Sequence, residues 1–464
     1  LDIYITQEKS NRVFSRNHLK KKSQPIVQNK LKMAGGLMQL VAYGAQDVYL
    51  TGNPKVTFFQ AVYKRHTNFA MENIEQTVNG TAADSGRVSV TIARNGDLVG
   101  DMYVELKAKA SIGTSGATGA AWVAERAIKN AELSIGGQRI DKHYQRWWRL
   151  YAELYLSDAA KTNWGKMTST VNTAATDARQ VFLPLIFFFN RNPGLALPLI
   201  ALQYHEVRID FDLTAEFDAF LDTSVFKVWA NYIYLDTEER RRFAQKGHEY
   251  LIEQVQHTGS DSVTSNATKQ VRLSYNHPVK ELVWCVNKGT ADSTGLWNFC
   301  SNSLAADVVI DCSAEKSGEG QVVPGQVGQP LLVVGTNGGT EELSECGATS
   351  ATASVGPVDT FKLVLNGQDR FKEQSGKYFN QVQPYQCHSG SPMPGIYSYS
   401  FALKPEEHQP TGTCNFSRID NAQVAIKLKD LTGTSLATPS LDMFAVNYNV
   451  LRVQSGMGGL AFSN

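Results

Sequence analysis

Two histidine–glutamate pairs, His205-Glu206 and His248-Glu249, are the first places to look for chemistry. Such a pair opens the zinc-protease motif, where a second histidine four residues on adds a ligand from the same helical face. Neither pair has it. His205 therefore reads as a hydrogen-bonded or surface histidine. Cys387-His388 sets a thiol beside an imidazole, but neighbours in a strand point to opposite faces. There is no G-x-S-x-G elbow, no G-x-G-x-x-G and no Walker-type G-K-[ST]; Ser455-Gly-Met-Gly-Gly459 lacks the lysine and the following helix. The acids are scattered. The sequence offers no catalytic residue, no metal site and no cofactor site, and the reading is that the chain is not an enzyme. Six cysteines (Cys285, Cys300, Cys312, Cys346, Cys387, Cys414) lie in the second half without a C-x-x-C pair. They read as reduced thiols of a protein made in the cytosol.

Modification and binding leave more to work with. Asn79-Gly-Thr81, Asn266-Ala-Thr268 and Asn415-Phe-Ser417 are glycosylation acceptor motifs. Asn79 and Asn266 sit in loop-like composition and are the better candidates. Asn415 is flanked by strand residues and is expected to be buried. Trp147-Trp148 is the one conspicuous aromatic pair that could serve a sugar, which keeps a carbohydrate-binding attachment protein with a double β-sandwich as the alternative. Against it stands packing of that pair on the sandwich or on a sister subunit. Arg240-Arg-Arg242 reads as a solvated or interface-lining linker, with a nucleic-acid contact as the lesser alternative.

The elements around these residues are mostly strands. The chain has 464 residues, 42% hydrophobic and 19% charged, with a formal charge of +1. That length suits two domains of about 200 residues. Residues 1–32 hold eight Lys or Arg against two acids, so they carry +6 and the rest about −5. A body of that charge argues against coating nucleic acid. The longest apolar run, Val181–Phe189, has nine residues, too few for a membrane-spanning helix, and residues 1–15 lack the apolar core of a signal peptide. Alternating segments at 88–92, 101–106, 133–135, 207–213 and 228–235 predict strands, as do 250–256, 271–275, 280–286, 360–365, 395–403, 424–428 and 448–453. Helices are expected at 146–156 and 238–245, the latter capped by Asp236. Leu37, Leu40 and Val41 have helical spacing ahead of Gly52-Asn-Pro54. With Tyr43 they mark an amino-terminal arm that needs a surface to pack on. Gly, Ser and Thr dominate 108–122 and 288–356, which read as surface excursions; 308–310 and 331–334 are short strand candidates within the second.

The chain also repeats itself. Leu133-Ser-Ile-Gly-Gly-Gln138 and Leu363-Val-Leu-Asn-Gly-Gln368 are both alternating strands that run into a Gly-Gln turn with aromatic and basic residues behind. Segment 182–209 resembles 396–426 at an offset of about 215 residues. A repeat this long means two domains of one design, since solenoid units run to roughly 20 to 50 residues. Gln138 and Gln368 are expected at equivalent turns. The segmentation follows: a disordered basic extension at 1–32, absent from the mature protein because Met33-Ala-Gly-Gly looks like a natural start; an arm and short helix at 33–57; a first domain at 58–236; a linker helix at 237–247; and a second domain at 248–464.

Several segments carry a family likeness. Val41-Ala-Tyr-Gly-Ala-Gln-Asp-Val-Tyr-Leu-Thr-Gly-Asn-Pro54, with Thr57-Phe-Phe-Gln-Ala-Val-Tyr-Lys-Arg65, resembles the amino-terminal signature of the major capsid proteins of nucleocytoplasmic large DNA viruses. Ile135–Tyr144, Pro184–Glu206, Gln383-Pro-Tyr385, Thr413–Asn421 and Asn447–Arg452 extend it, and chlorella-virus capsid proteins are the nearest kind. The resemblance implies an all-β fold of two tandem eight-stranded antiparallel jelly rolls with short helices in the loops. It implies a late structural protein of the virion: a homotrimer forming a pseudo-hexagonal capsomer in an icosahedral shell over an internal membrane, made and assembled in the host cytoplasm. Neighbouring capsomers, penton and minor capsid proteins would be its partners, with no specific nucleic acid. It further implies glycosylation at asparagines that need not lie in the usual motif.

Overall fold

The computed structural model describes residues 35–109, 122–168, 179–288, 356–431 and 439–462. The basic extension 1–32, most of the two expected excursions, the strand candidates within 288–356, and Cys300, Cys312 and Cys346 lie outside the described residues.

Eight principal strands form the first half of the body: β1 Phe69–Gln76, β2 Arg87–Thr91, β3 Leu98–Ala108, β4 Ile128–Ile135, β5 Gln138–Tyr144, β6 Arg179–Pro184, β7 Val207–Leu213 and β8 Leu221–Leu235. Eight more form the second: β9 His248–Ser262, β10 Thr268–Leu273, β11 Pro278–Lys288, β12 Val358–Leu365, β13 Gln368–Asp369, β14 Ile396–Ser400, β15 Ala422–Leu428 and β16 Pro439–Gln454. The first half pairs its strands in the orders β1-β8-β3-β6 and β2-β7-β4-β5, the second in the orders β9-β16-β11-β14 and β10-β15-β12-β13. Adding eight to each strand number turns the first pair of sheets into the second. Every pairing is antiparallel. This is the double jelly roll, two sandwiches whose edge problem is solved by facing sheets.

Alternation builds each sandwich. In β4 the buried residues are Ile128, Ala131, Leu133 and Ile135, and β15 reads buried–intermediate from Ala422 to Leu428 without a break. The inward faces meet as one core per sandwich. Met102, Val104, Phe211, Val228 and Tyr232 are buried in the first. In the second, Trp284 stacks on Phe361 at 4.2 Å and packs against Phe379 at 5.3 Å. Packed aromatic pairs of this kind add about 1 kcal/mol each beyond the area they bury.

Antiparallel pairing also fixes which connections share an end. The links β1→β2, β3→β4, β5→β6 and β7→β8 leave one end of the first sandwich; β2→β3, β4→β5 and β6→β7 leave the other, and the second half repeats this. The stretches 110–121 and 289–355 therefore interrupt equivalent links, β3→β4 and β11→β12. Gln138 and Gln368 follow the β4–β5 and β12–β13 hairpin turns. Those turns are Gly136-Gly137 (φ 57° and 82°) and Asn366-Gly367 (φ 48° and 79°). Both central residues have positive φ, the geometry whose twist matches the flanking strands and which Gly and Asn tolerate.

The helices hang on the links. Among those of the body are α3 Gln145–Tyr155 and α4 Asp158–Thr168 between β5 and β6, α5 Thr237–Gln245 between the halves, and α6 Gln383–Cys387 between β13 and β14, preceded by a π-helical turn at Tyr378–Val382. The expected helices at 146–156 and 238–245 are α3 and α5. The expectation missed α4 and the helical turns at 378–387, and Met457–Leu460 adds a short strand that pairs with β16. In α5, Arg240 reaches Asp97 of the first half at 3.0 Å and Arg241 reaches Glu238 at 3.3 Å, so these arginines are engaged.

The arm, 35–66, belongs to a separate unit. It holds α1 Gly35–Val41 and α2 Val48–Thr51. The Asp47 carboxylate accepts the Gly44 amide at 2.7 Å, which ties the turn between them. Leu37, Leu40, Val41 and Tyr43 are all exposed, as are Phe58 and Phe59.

Candidate assembly interface

α3 carries the contact between the halves. Apolar residues at 147, 148, 150, 151 and 154 give it two covered flanks. Trp148 turns into the first sandwich and donates its indole N–H to the Pro184 carbonyl at 3.2 Å. Trp147 turns to the second half and meets Phe444 of β16 at 5.7 Å. His257 stacks on the same Phe444 at 4.5 Å, and Tyr144 lies 4.8 Å from His257. Both tryptophans are buried, which removes the sugar platform proposed for them and with it the attachment-protein alternative.

Charge surrounds this apolar patch. Asp442 on β16 is wholly buried and accepts from Arg146 of α3, from Ser260 and from Asn287 at 2.7 Å, with His257 Nε2 at 3.2 Å. Burial pushes its carboxyl up, but His257, Arg146, Ser260 and Asn287 outweigh that and hold it below the usual carboxylate range. Glu253 on β9 receives Arg191 of the first half and Lys280 of β11, each at 2.7 Å. Burial opposes its ionisation too, and the two cations again win. Lys280 also donates to the Pro405 carbonyl at 2.6 Å; burial, only partly offset by Glu253, pushes it down to about 8. Arg149 bridges Glu153 at 2.7 Å and Glu125 at 3.3 Å. A cleft of about 350 Å³ lies beside this network, lined by Tyr151, Tyr155, Arg191, Glu253, Glu406 and His408 among others.

The β13→β14 link closes the interface from the other side. Gly390 donates to the Leu154 carbonyl at 3.0 Å. A Cβ there would lie 2.4 Å from the Glu153 carbonyl, so only glycine admits the approach. Lys161 reaches the Ser391 carbonyl at 2.6 Å. His388 Nε2 stands 3.1 Å from Glu281 and Nδ1 3.5 Å from Glu406. Burial disfavours the imidazolium, but Glu281 and Glu406 overcome it and hold His388 up at about 9. Cys387 ends α6, so the pair sits at a helix end with His388 in an ion-pair cluster.

The remaining sequence candidates spread over the surface. Gln138 Oε1 accepts the Leu460 amide at 3.2 Å, whereas Gln368 is exposed. His205 Nδ1 lies 2.8 Å from the Gly458 carbonyl. Asn79 lies in the β1→β2 link and Asn266 in the β9→β10 link, both exposed and each at the end where the excursion of its own half departs. Asn415 is exposed, contrary to the expected burial. It lies in the β14→β15 link at the opposite end, and its Oδ1 accepts the Ser417 amide at 3.0 Å to cap a short 3₁₀ turn. Cys285, Cys387 and Cys414 are free thiols. Among the described residues no group of three His, Cys, Asp or Glu could hold a metal, and no helix is long and apolar enough to cross a membrane.

Sequence reasoning missed the buried carboxylates. For two of them the signal was present: Asp442 and Glu281 each interrupt a run that is apolar on both faces rather than alternating.

Comparison with known proteins places these halves in context. A family model described as major capsid protein N-terminus matches residues 57–236, and one described as large eukaryotic DNA virus major capsid protein matches 239–459. The chain is similar to the major capsid protein of Paramecium bursaria Chlorella virus 1, at 45% identity over 93% of this chain and 100% of the relative. It is similar to that of Phaeocystis pouchetii virus at 42% identity over the same shares. Among solved structures it is similar to the capsid of PBCV-1, with a TM-score of 0.70 and 39% identity over 88% of this chain and 100% of that one. The Faustovirus major capsid protein shares the fold at a TM-score of 0.61 and 13% identity, over 89% of this chain and 94% of that one.

Proposed function

The chain belongs to the major capsid proteins of large eukaryotic DNA viruses, and from that premise we propose that three copies close into a pseudo-hexagonal capsomer of an icosahedral shell. The shell-building role follows from the family. The trimer rests on one observation: the two halves share a strand order, yet the first packs on the second through unlike surfaces, α3 of one against β16 of the other. A head-to-tail contact between similar units continues until it closes into a ring or runs on as a filament. Six sandwiches close a hexagonal ring, and three chains supply six. Native mass determination on purified full-length protein tests this. Three chain masses at micromolar concentration are expected; a monomeric mass for folded protein would refute it.

In this reading the end bearing the excursions faces outward. The arm, with Leu37, Leu40, Val41 and Tyr43 exposed, offers the apolar surface that meets the membrane side of the shell and minor capsid proteins. Neighbouring capsomers and penton proteins meet the flanks. Glycan attaches at the outer end, where Asn79 and Asn266 are exposed, and not at Asn415. Peptide mass spectrometry of virion protein is expected to find sugar on Asn79, Asn266 or the two excursions. Sugar on Asn415 and on none of these would count against the orientation.

A further inference from the structure

The strand-by-strand repeat allows the covered and uncovered faces of the two halves to be compared residue by residue. On the outer face of the sheet β9-β16-β11-β14, Val283, Cys285, Ile396, Phe444 and Val446 are at most 1% exposed, because the first half lies on them. Register gives the matching positions in the sheet β1-β8-β3-β6. Val283 pairs with Phe444 as Tyr103 pairs with Trp229, and Cys285 pairs with Ile396 as Glu105 pairs with Phe182. Among the described residues no element lies over this second face as the first half lies over its counterpart. Tyr103, Phe182 and Trp229 are partly exposed; Tyr103 meets Phe182 edge to face at 5.7 Å and stacks on Trp229 at 6.4 Å. Phe69 and Met71 on the same face are 54% and 55% exposed.

The donor is also duplicated. Within the chain the covering element is α3 in the β5→β6 link. The equivalent β13→β14 link carries the turn Tyr378–Val382 and α6, from which Val382 and Tyr385 project, Tyr385 at 89% exposure. The later part of this link, 388–391, meets α3 and α4 of its own chain, while Val382 and Tyr385 stay exposed, so one chain holds one filled contact, one exposed acceptor and one exposed donor patch.

We propose that Val382 and Tyr385 of one copy pack on the Tyr103–Phe182–Trp229 face of a second copy. The inference rests on the trimer reading and adds its surfaces. Charge agrees with the assignment. In the internal contact the position of Asp442 demands a cation, which Arg146 supplies. Its counterpart on the uncovered face is Lys227, by the pairs Cys285–Asp442 and Glu105–Lys227. Lys227 already lies 3.8 Å from Glu75, and Glu105 accepts the Trp229 indole N–H at 2.7 Å. The face therefore asks for an uncharged donor, and 378–387 (Tyr-Phe-Asn-Gln-Val-Gln-Pro-Tyr-Gln-Cys) contains no charged residue. The apolar area offered, rimmed by self-paired charges, has the anatomy of a protein interface.

The test uses full-length protein. Tyr385→Arg and Val382→Arg, at exposed positions, are expected to leave thermal unfolding of the monomer unchanged and to weaken association at least about 30-fold, the loss typical of an interface anchor. A photo-crosslinking residue at 385, in a mixture of isotopically light and heavy protein, is expected to give light–heavy crosslinks to peptides containing Tyr103, Phe182 or Trp229. A trimer that persists in both variants, or crosslinks that map elsewhere, would overturn these surfaces and leave the trimer standing. A wild-type protein that is monomeric would overturn both.

Discussion

Arg146→Met is expected to destabilise the folded chain by about 3 to 5 kcal/mol, the usual cost of stranding one partner of a buried ion pair. The reason lies with Asp442, which has no exposed side-chain surface. Ser260 and Asn287 still donate to it after the change, but the full positive charge is gone. His257 Nε2 remains 3.2 Å away. Adding Asp442→Asn removes the stranded charge and is expected to recover part of the loss. Native-state hydrogen exchange is the suitable measurement, since a chain of two sandwiches need not unfold in one step. Protection should fall first in β16 and α3. A single change worth less than about 0.5 kcal/mol, in the range of ordinary surface substitutions, would show that the ion pair is solvated and the interface looser than its geometry.

The same pair explains what the sequence made legible and what it hid. Strands that face water on one side announce themselves: β8 alternates Val228, Trp229, Ala230, Asn231, Tyr232 as buried, half-buried, buried, half-buried, buried. β16, its repeat partner, is buried from Pro439 to Asn449 on both faces. Its alternation is lost because a second layer lies on it, so only Tyr448 to Val453 read as a strand. The paired Gly-Gln turns were readable because a two-residue hairpin demands positive φ, and few residue types supply it. The helical turns at 378–387 were not, since Gln383-Pro-Tyr385 is short and the π turn has no periodicity to find. Asn415 was misjudged for a related reason. Strand-like neighbours suggested burial, whereas Cys414–Asn415 is a two-residue bridge at the margin of its sheet. The interruption of its apolar run marks Asp442 locally, but its partner is not local: what makes it tolerable is an arginine 296 residues earlier in the chain.

His388 gives the interface a pH dependence of predictable sign. It lies between Glu281 and Glu406, with the Tyr155 ring at 5.3 Å and Lys280 next to Glu281 in β11. Its folded pKa, about 9, exceeds the ordinary 6.5. The folded state therefore binds the proton more tightly. The stabilisation is fully present below about pH 6.5 and is lost as pH rises toward 9. Lys280 acts in the opposite sense in a higher window. Its folded value of about 8 lies below the ordinary 10.5, so the folded state sheds that proton first and gains stability as pH climbs between the two. From pH 6.5 to 8 His388 is thus the one of these two groups whose protonation differs between states, and it is expected to cost the wild type about 2 kcal/mol across that interval. His388→Gln keeps hydrogen-bonding groups beside Glu281 and removes the titration. The variant should be less stable than wild type at pH 6.5, and the difference should shrink steadily toward pH 8. Hydrogen exchange in β11 and α6, followed at half-unit steps in both proteins, reads this directly. Parallel pH profiles for the two would mean that His388 is neutral in the folded protein and that Glu281 finds its proton elsewhere.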